Sequence, residues 1–392
     1  MKIVFLDRKT IGDDLNLDKY NDFGEVVFYD FSTEEETRER TRDADIIVLN
    51  KVPINERSIG EARKLKLVCV TATGTNNLDK DYLAKQGIEW RNVADYSTES
   101  VAQHTIAMLL YLYEHLPYYD AYTSDGKYIN DKCFTHFAQT FSEIRGKTWG
   151  IIGLGNIGRR VAEIATCFGA KVIYYSASGH AQDVPYGMAD FDTLLKESDI
   201  ITIHAPLTSK TEHLMNAEAF GKMKKTAILI NVGRGPIIVE EDLARALEDG
   251  EIAAAGLDVL DAEPMREDSP LVRLLGSPKL YITPHIAWAS IEARTKLMDI
   301  IYEAIGTFLL AHADHRDTPC DKRSVPMARV RYNEDQEIVK TIKEGLAAKD
   351  GYCPCRLERI PENKCMCKEF RDQIADPEYE GYCHCMLYYK EK

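Results

Sequence analysis

The sequence predicts an α/β protein built on parallel sheets, and three observations carry that expectation. Short apolar or β-branched runs at 2–6, 26–29, 45–49 and 67–71 are separated by polar stretches long enough to be helices. From Thr148 the chain reads TWGIIGLGNIG, an apolar run that passes into Gly153-x-Gly155-x-x-Gly158 and then into a helix-like stretch over 157–168. Further runs follow at 170–175, 199–204, 227–232, 254–259 and 280–283, punctuated by glycine or proline. Strands that alternate with helices pair in parallel, because each parallel neighbour needs a long crossover connection.

Composition narrows what such a chain does. Its 392 residues allow two or three domains, and 45% hydrophobic with 29% charged residues is an ordinary globular balance. The formal net charge of -14 argues against a nucleic-acid partner, which needs a basic face. MKIVFLDRKT reads as a first strand and not as a signal peptide, and the longest apolar stretch, 106–113, is far too short to cross a bilayer. The expected location is the cytoplasm, with no membrane partner.

Taken in order, the first group of strands leads to LKLVCV and the turn Ala72–Asp79, whose small residues can offer backbone N–H groups to an anion or simply connect a strand to a helix. Residues 100–116, SVAQHTIAMLLYLYEHL, predict a helix apolar on most faces, buried between domains or subunits, with His104 and His115 as packing or surface residues. Pro117 is expected to end it, and Tyr118, Tyr119 and Tyr122 to lie in a connection. The glycine turn comes next. Gly153, Gly155 and Gly158 let backbone approach a pyrophosphate, while Asn156 and Ile157 open the helix whose N–H groups face that charge. The following strand, AKVIYY, ends at Ser176, where an acidic residue would hold the ribose hydroxyls of NAD. Nothing there repels a 2′-phosphate and no arginine or lysine stands beside it in sequence, so NAD(H) and NADP(H) both remain open. Later strands end in His204-Ala205-Pro206, in Asn231-Val232-Gly233-Arg234-Gly235, in Asp258 and in Pro284-His285, all suited to a crevice at the carboxyl edge of a sheet.

Hydride transfer to a ketone needs a cation for the substrate carboxylate and an acid for the developing alkoxide. Arg234 can supply the first in bidentate form, His285 the second, and Glu263 can orient the imidazole and favour its charged form. With these residues in place the chain resembles the D-2-hydroxyacid dehydrogenases over roughly residues 1–316, through GLGNIG, HAPLT, NVGRG, LDVLDAEP and TPHIAWAS in this order. The resemblance implies an Arg234, Glu263, His285 catalytic set and a small 2-keto or 2-hydroxy acid substrate. It implies that Thr73 and Gly74 meet the substrate carboxylate, that Tyr96 borders the pocket, and that Ser176, His204, Pro206, Val232 and Asp258 join the glycine turn at the cofactor. It implies doubly wound parallel sheets in two domains: a Rossmann cofactor domain, 101–287, inserted in a flavodoxin-like substrate domain, 1–100 plus 288–316. A homodimer is implied as well, with the helix after Ser100 as its crossing element. YSTESVAQHT and Trp288 look most like the glycerate and hydroxypyruvate reductase branch, which implies hydroxypyruvate or glyoxylate as substrate.

Residues 317–327 read as a polar linker to a small unit over 328–392, with Asn333 as N-cap of a helix marked by Ile338, Ile342 and Leu346. Six of the ten cysteines follow in three Cys-x-Cys pairs. That is two more than one tetrahedral zinc or one four-cysteine cluster requires. The tail resembles the catalytic chain of ferredoxin-thioredoxin reductases, although Met366 stands in place of proline and the middle pair is shifted toward the first. The resemblance implies Cys353, Cys365, Cys367 and Cys383 as ligands of a [4Fe–4S] cluster, and Cys355 and Cys385 as a redox disulfide beside His384. It implies ferredoxin and a thioredoxin-like protein as partners. Zinc is the alternative in the tail, and a dinucleotide-binding redox sensor is the alternative for the whole chain.

Overall fold

The computed structural model describes residues 1–312, 330–332, 335, 339, 341–342, 381–383 and 388–390. The chain divides into two compact units, Met1–Ala313 and Asp314–Lys392.

The first unit begins with five strands, β1 (Lys2–Phe5), β2 (Glu25–Phe28), β3 (Ile46–Leu49), β4 (Leu67–Val70) and β5 (Glu89–Arg91), all parallel in the order β2-β1-β3-β4-β5. β3 and β4 are apolar throughout and buried at every residue, the pattern of a parallel strand covered on both faces. β5 reads EWR and is half exposed, so no apolar run announces it. Between the strands lie α1 (Glu34–Arg40), α2 (Glu56–Ile59) and α3 (Lys80–Gln86). α1 starts in a reciprocal cap, where Thr33 accepts from Glu36 N–H and the Glu36 carboxylate accepts from Thr33 N–H.

The long apolar helix is α4 (Thr98–Tyr113), and it does not stop at the proline. The break falls at His115, which has φ +53°, and Pro117 lies in the first turn of a second helix, α5 (Leu116–Ser124). A proline at that position loses no hydrogen bond, since the first helical N–H groups have no partner in any case. Tyr118, Tyr119 and Tyr122 are therefore helical.

The second sheet has seven parallel strands: β6 (Thr148–Ile152), β7 (Lys171–Tyr175), β8 (Gly187–Met188), β9 (Ile200–Ile203), β10 (Ile228–Asn231), β11 (Ala254–Leu257) and β12 (Leu280–Ile282). Their order is β12-β11-β10-β9-β6-β7-β8, so the winding reverses between β6 and β9. Such a switch point opens a crevice at the carboxyl ends of the strands. α6 (Asn156–Cys167), α7 (Phe191–Glu197), α8 (Ala217–Lys222) and α9 (Glu240–Asp249) cover this sheet together with α4. Met108 and Leu112 of α4 pack against the second sheet at Gly256, where any side chain would collide with Ile230.

The last helix of the unit, α10 (Ile291–Ala311), returns to the first sheet. Leu297, Ile301, Ile305 and Phe308 are buried with Ile3, Phe5, Ile46 and Val48. Among the described residues no helix is long and apolar enough to cross a membrane.

In the second unit β13 (Val330–Tyr332), β14 (Gly381–Tyr382) and β15 (Tyr388–Lys390) form an antiparallel sheet in the order β13-β15-β14. Cys383 follows β14 and is buried. Cys353, Cys355, Cys365, Cys367, His384 and Cys385 lie outside the described residues, as do Asn333, Ile338 and Leu346. Ile342 is described and helical.

Candidate active site

The glycine turn joins β6 to α6, and its three glycines answer three different demands. Gly153 has φ +92°, and a Cβ there would stand 2.7 Å from the backbone of Ala205, so this position is closed to other residues. Gly158 packs so tightly on the Gly153 carbonyl that a Cβ would overlap it. Gly155, the residue before α6, would point a Cβ into open space, which is room for a ligand at the helix N-terminus. Asn156 opens the helix and donates from Nδ2 to Asp95 Oδ1 at 2.5 Å, and Ile157 follows it half-buried.

Across the switch point, β9 leads into His204. Among the described residues neither of its buried ring nitrogens has a partner, and burial pushes the imidazole down to about 3, so it is neutral. A buried polar ring in that condition at a crevice beside a glycine cradle fits a bound dinucleotide, which brings polar groups of its own. Pro206 is exposed, with its carbonyl accepting from Thr211 Oγ1 at 2.7 Å, and Val232 is buried at the end of β10. Ser176 is half-buried just beyond β7.

The three residues expected to carry the chemistry come from loops that pack on one another. Arg234 follows β10. Its Nη1 donates to the Gly233 carbonyl at 2.7 Å, and its Nη2 would lie 3.2 Å from a Cβ built on Gly74. The guanidinium thus reaches from the second sheet to the turn after β4, and among the described residues it has no carboxylate partner. The neighbouring Gly235 is pressed so closely on the Leu260 backbone that no Cβ fits. That contact seats the Arg234 loop on the loop bearing Glu263.

His285 follows β12 with φ +54°, held there because its N–H is shared between the Asp258 and Thr283 carbonyls, each at 2.9 Å. Its Nδ1 meets Glu263 Oε2 at 2.6 Å. Burial pushes the Glu263 carboxyl up, but the hydrogen bond and charge of His285, with the Leu260 N–H, hold it below the usual carboxylate range. An ionised acid on Nδ1 fixes the tautomer and leaves Nε2 as the nitrogen available to a substrate.

Asp258 is almost fully buried and its carboxylate is occupied within the protein. It accepts from Thr283 Oγ1 at 2.6 Å, from Ile286 N at 2.9 Å and from Ala287 N at 3.0 Å. It therefore shapes the segment that carries His285. His104 of α4 stands in the same network, with Nε2 3.0 Å from Thr283 Oγ1 and 3.6 Å from Asp258. Its place in α4 gave no sign of this.

From the first sheet, Thr73 is exposed, with Oγ1 donating to the Val93 carbonyl at 2.9 Å, and Gly74 adjoins Arg234. Tyr96 is buried against Trp288 with ring centroids 6.1 Å apart, and burial raises its phenol to about 12, so it stays neutral. The sequence reading missed the Asn50–Lys51 loop. Asp7, buried at the end of β1, accepts from Asn50 N at 2.9 Å and Lys51 N at 2.7 Å and fixes that loop at the sheet edge. Asn50 Oδ1 is buried there with no partner among the described residues. Only an acid 43 residues earlier reveals the arrangement.

Residues 106–287 match the family model described as D-isomer specific 2-hydroxyacid dehydrogenase, NAD binding domain. The chain is 38% identical to a hydroxypyruvate reductase of Blautia hydrogenotrophica, covering 79% of this chain and 97% of that one. It is 37% identical to a glycerate dehydrogenase of Methylorubrum extorquens, covering 79% of this chain and 96% of that one. The solved structure of an acyclic imino acid reductase in complex with NADPH and D-Arg is similar with a TM-score of 0.69 and 32% identity, covering 79% of this chain and 98% of that one.

Proposed function

The chain belongs to the D-2-hydroxyacid dehydrogenase family as an NAD(P)-dependent 2-hydroxyacid oxidoreductase, and from that premise we propose that it reduces hydroxypyruvate or glyoxylate. The observation that carries the reading is the Glu263–His285 pair at 2.6 Å, on a loop packed against the one that bears an arginine with no acid partner among the described residues. In this reading 1–100 and 288–316 hold the substrate and 101–287 hold the cofactor, in line with α10 packing on the first sheet.

Arg234 grips the substrate carboxylate with two parallel N–H donors, helped by backbone N–H at Thr73 and Gly74. Tyr96 and Trp288 close the apolar side of the pocket. His285, protonated, donates from Nε2 to the carbonyl oxygen as that oxygen becomes an alkoxide. Glu263 keeps the ring oriented and stabilises its charge until then. Bound NAD(P)H supplies the hydride to the carbonyl carbon. The product is D-glycerate from hydroxypyruvate or the achiral glycolate from glyoxylate, and His285 regains its proton from water. In oxidation the same nitrogen takes the hydroxyl proton. The test is consumption of NADH or NADPH with hydroxypyruvate or glyoxylate: wild type turns over and Arg234→Ala does not. Equal turnover in both would sink the assignment.

A homodimer belongs to the same proposal. α4 spends its apolar face inside its own chain, whereas the arm that follows exposes Ile129, Phe134 and Phe137 at 83%, 86% and 78%, more apolar surface than an isolated loop tolerates in water. For the tail, six thiols in three Cys-x-Cys pairs support a [4Fe–4S] cluster with a neighbouring dithiol, served by ferredoxin and a thioredoxin-like protein. Anaerobically purified full-length protein is then brown and holds four irons; colourless protein with stoichiometric zinc would replace the cluster by a zinc site.

A further inference from the structure

Beyond β7 the chain turns through Ser176, Ala177, Ser178, Gly179 and His180, and meets no carboxylate before Asp183. The Ser176 and Ser178 hydroxyls are 2.9 Å apart, and Gly179 N donates to the Ser176 carbonyl at 2.9 Å to close the turn. The loop is anchored twice. Gln182 N donates to the Tyr174 hydroxyl at 2.9 Å, and Gln182 Oε1 accepts from Arg159 Nη2 of α6 at 2.6 Å.

The two arginines in the first turns of α6 differ in a way that matters. Arg160 is paired with Glu99 and Glu163, each at 2.9 Å. Arg159, exposed, has no carboxylate partner among the described residues and rests on a neutral amide. A guanidinium offers five donors, so an anion can bind here without breaking an ion pair. The end of this second strand is also where a dinucleotide-binding unit places the adenosine ribose. An acid at Ser176 would accept from the ribose hydroxyls and repel a phosphate; hydroxyls at Ser176 and Ser178 donate to one.

We propose that Arg159, Ser176 and Ser178 form a site for the 2′-phosphate of the adenosine ribose and that the enzyme prefers NADPH to NADH. The proposal rests on reading Gly153–Gly158 as the dinucleotide site. Arg159 supplies the charge and the fork, and the two serines supply hydroxyl donors. The sequence alone hides the arginine, because it comes from the helix before the strand and reaches the loop through Gln182.

The experiment is binding to the full chain, read by nicotinamide fluorescence for NADPH and NADH and by calorimetry for 2′,5′-ADP and 5′-ADP. Wild type binds NADPH at least about tenfold more tightly than NADH, the size of one hydrogen bond to a charged group, and the advantage shrinks as salt rises. Arg159→Gln weakens NADPH about tenfold more than NADH, Arg159→Lys recovers part of the loss, and Ser176→Asp reverses the preference. Equal or tighter NADH binding by wild type overturns the proposal, as does an Arg159→Gln variant, folded by circular dichroism, that weakens both cofactors equally. A protein that prefers 2′,5′-ADP over 5′-ADP but reduces no 2-keto acid would retain this site and lose the proposed activity. One that reduces hydroxypyruvate yet does not distinguish the two nucleotides would do the reverse.

Discussion

At the carboxyl edge of the second sheet the candidate groups are side chains: His204, Arg234, Glu263 and His285. The corresponding edge of the first sheet works differently, with backbone at Thr73 and Gly74 and a loop at Asn50–Lys51 pinned from beneath by Asp7. In the proposed mechanism the first kind of edge sets which reaction occurs, because a charge or a proton belongs to a particular residue. The second kind, in the same proposal, sets where the substrate lies, because backbone donors are common to every residue and only their geometry is special. Substitutions of the Glu263–His285 pair should therefore lower turnover, whereas those at the turn that meets the substrate carboxylate beside Arg234 should weaken binding.

The largest effect is expected at His285. His285→Ala removes the proposed proton donor, and kcat should fall about 10²–10⁴-fold with cofactor binding intact, as stopped-flow and cofactor titration would show. A small change in kcat would break the comparison at its strongest point. Gly74→Val tests the other edge. Its side chain would crowd Arg234 Nη2, so KM should rise about tenfold while kcat moves little; a kcat effect as large as that of His285→Ala would mean that the Gly74 turn also positions Arg234 for the chemistry. The smallest effect concerns pH. Glu263 has an ordinary value of 4.5 and is held lower in the folded protein, so its contribution to stability is present above pH 4.5 and disappears as pH falls through the folded value. The difference in denaturant midpoint between wild type and Glu263→Gln should accordingly narrow below pH 4.5. A gap that widens there would show that Glu263 is not the ionised partner of His285.

The same contrast explains what could be read from the sequence. In a parallel α/β sheet every strand ends on one edge, so Arg234, Asp258 and His285, each just past an apolar run, had to converge there whatever the details of packing. The glycine turn was legible because Gly153 and Gly158 leave no room for a side chain. Contacts between distant segments were not legible. Asp7 under Asn50, His104 beside Thr283 and Arg159 on Gln182 each join residues with no periodic relation. β5 and β8 escaped because EWR and the two-residue GM lack an apolar run. Pro117 was misread because proline both stops a helix and starts one, and only the left-handed His115 before it decides between them.

α10 also bears on the order in which the protein is made. The face of the first sheet formed by Ile3, Phe5, Ile46 and Val48 is covered by Leu297, Ile301, Ile305 and Phe308. During synthesis β1 emerges before the second sheet, yet its cover is translated only after the whole of that sheet. The lobe of the first sheet is thus completed only after that of the second, and a nascent chain arrested before Ile291 would leave that apolar face open to water and to other chains.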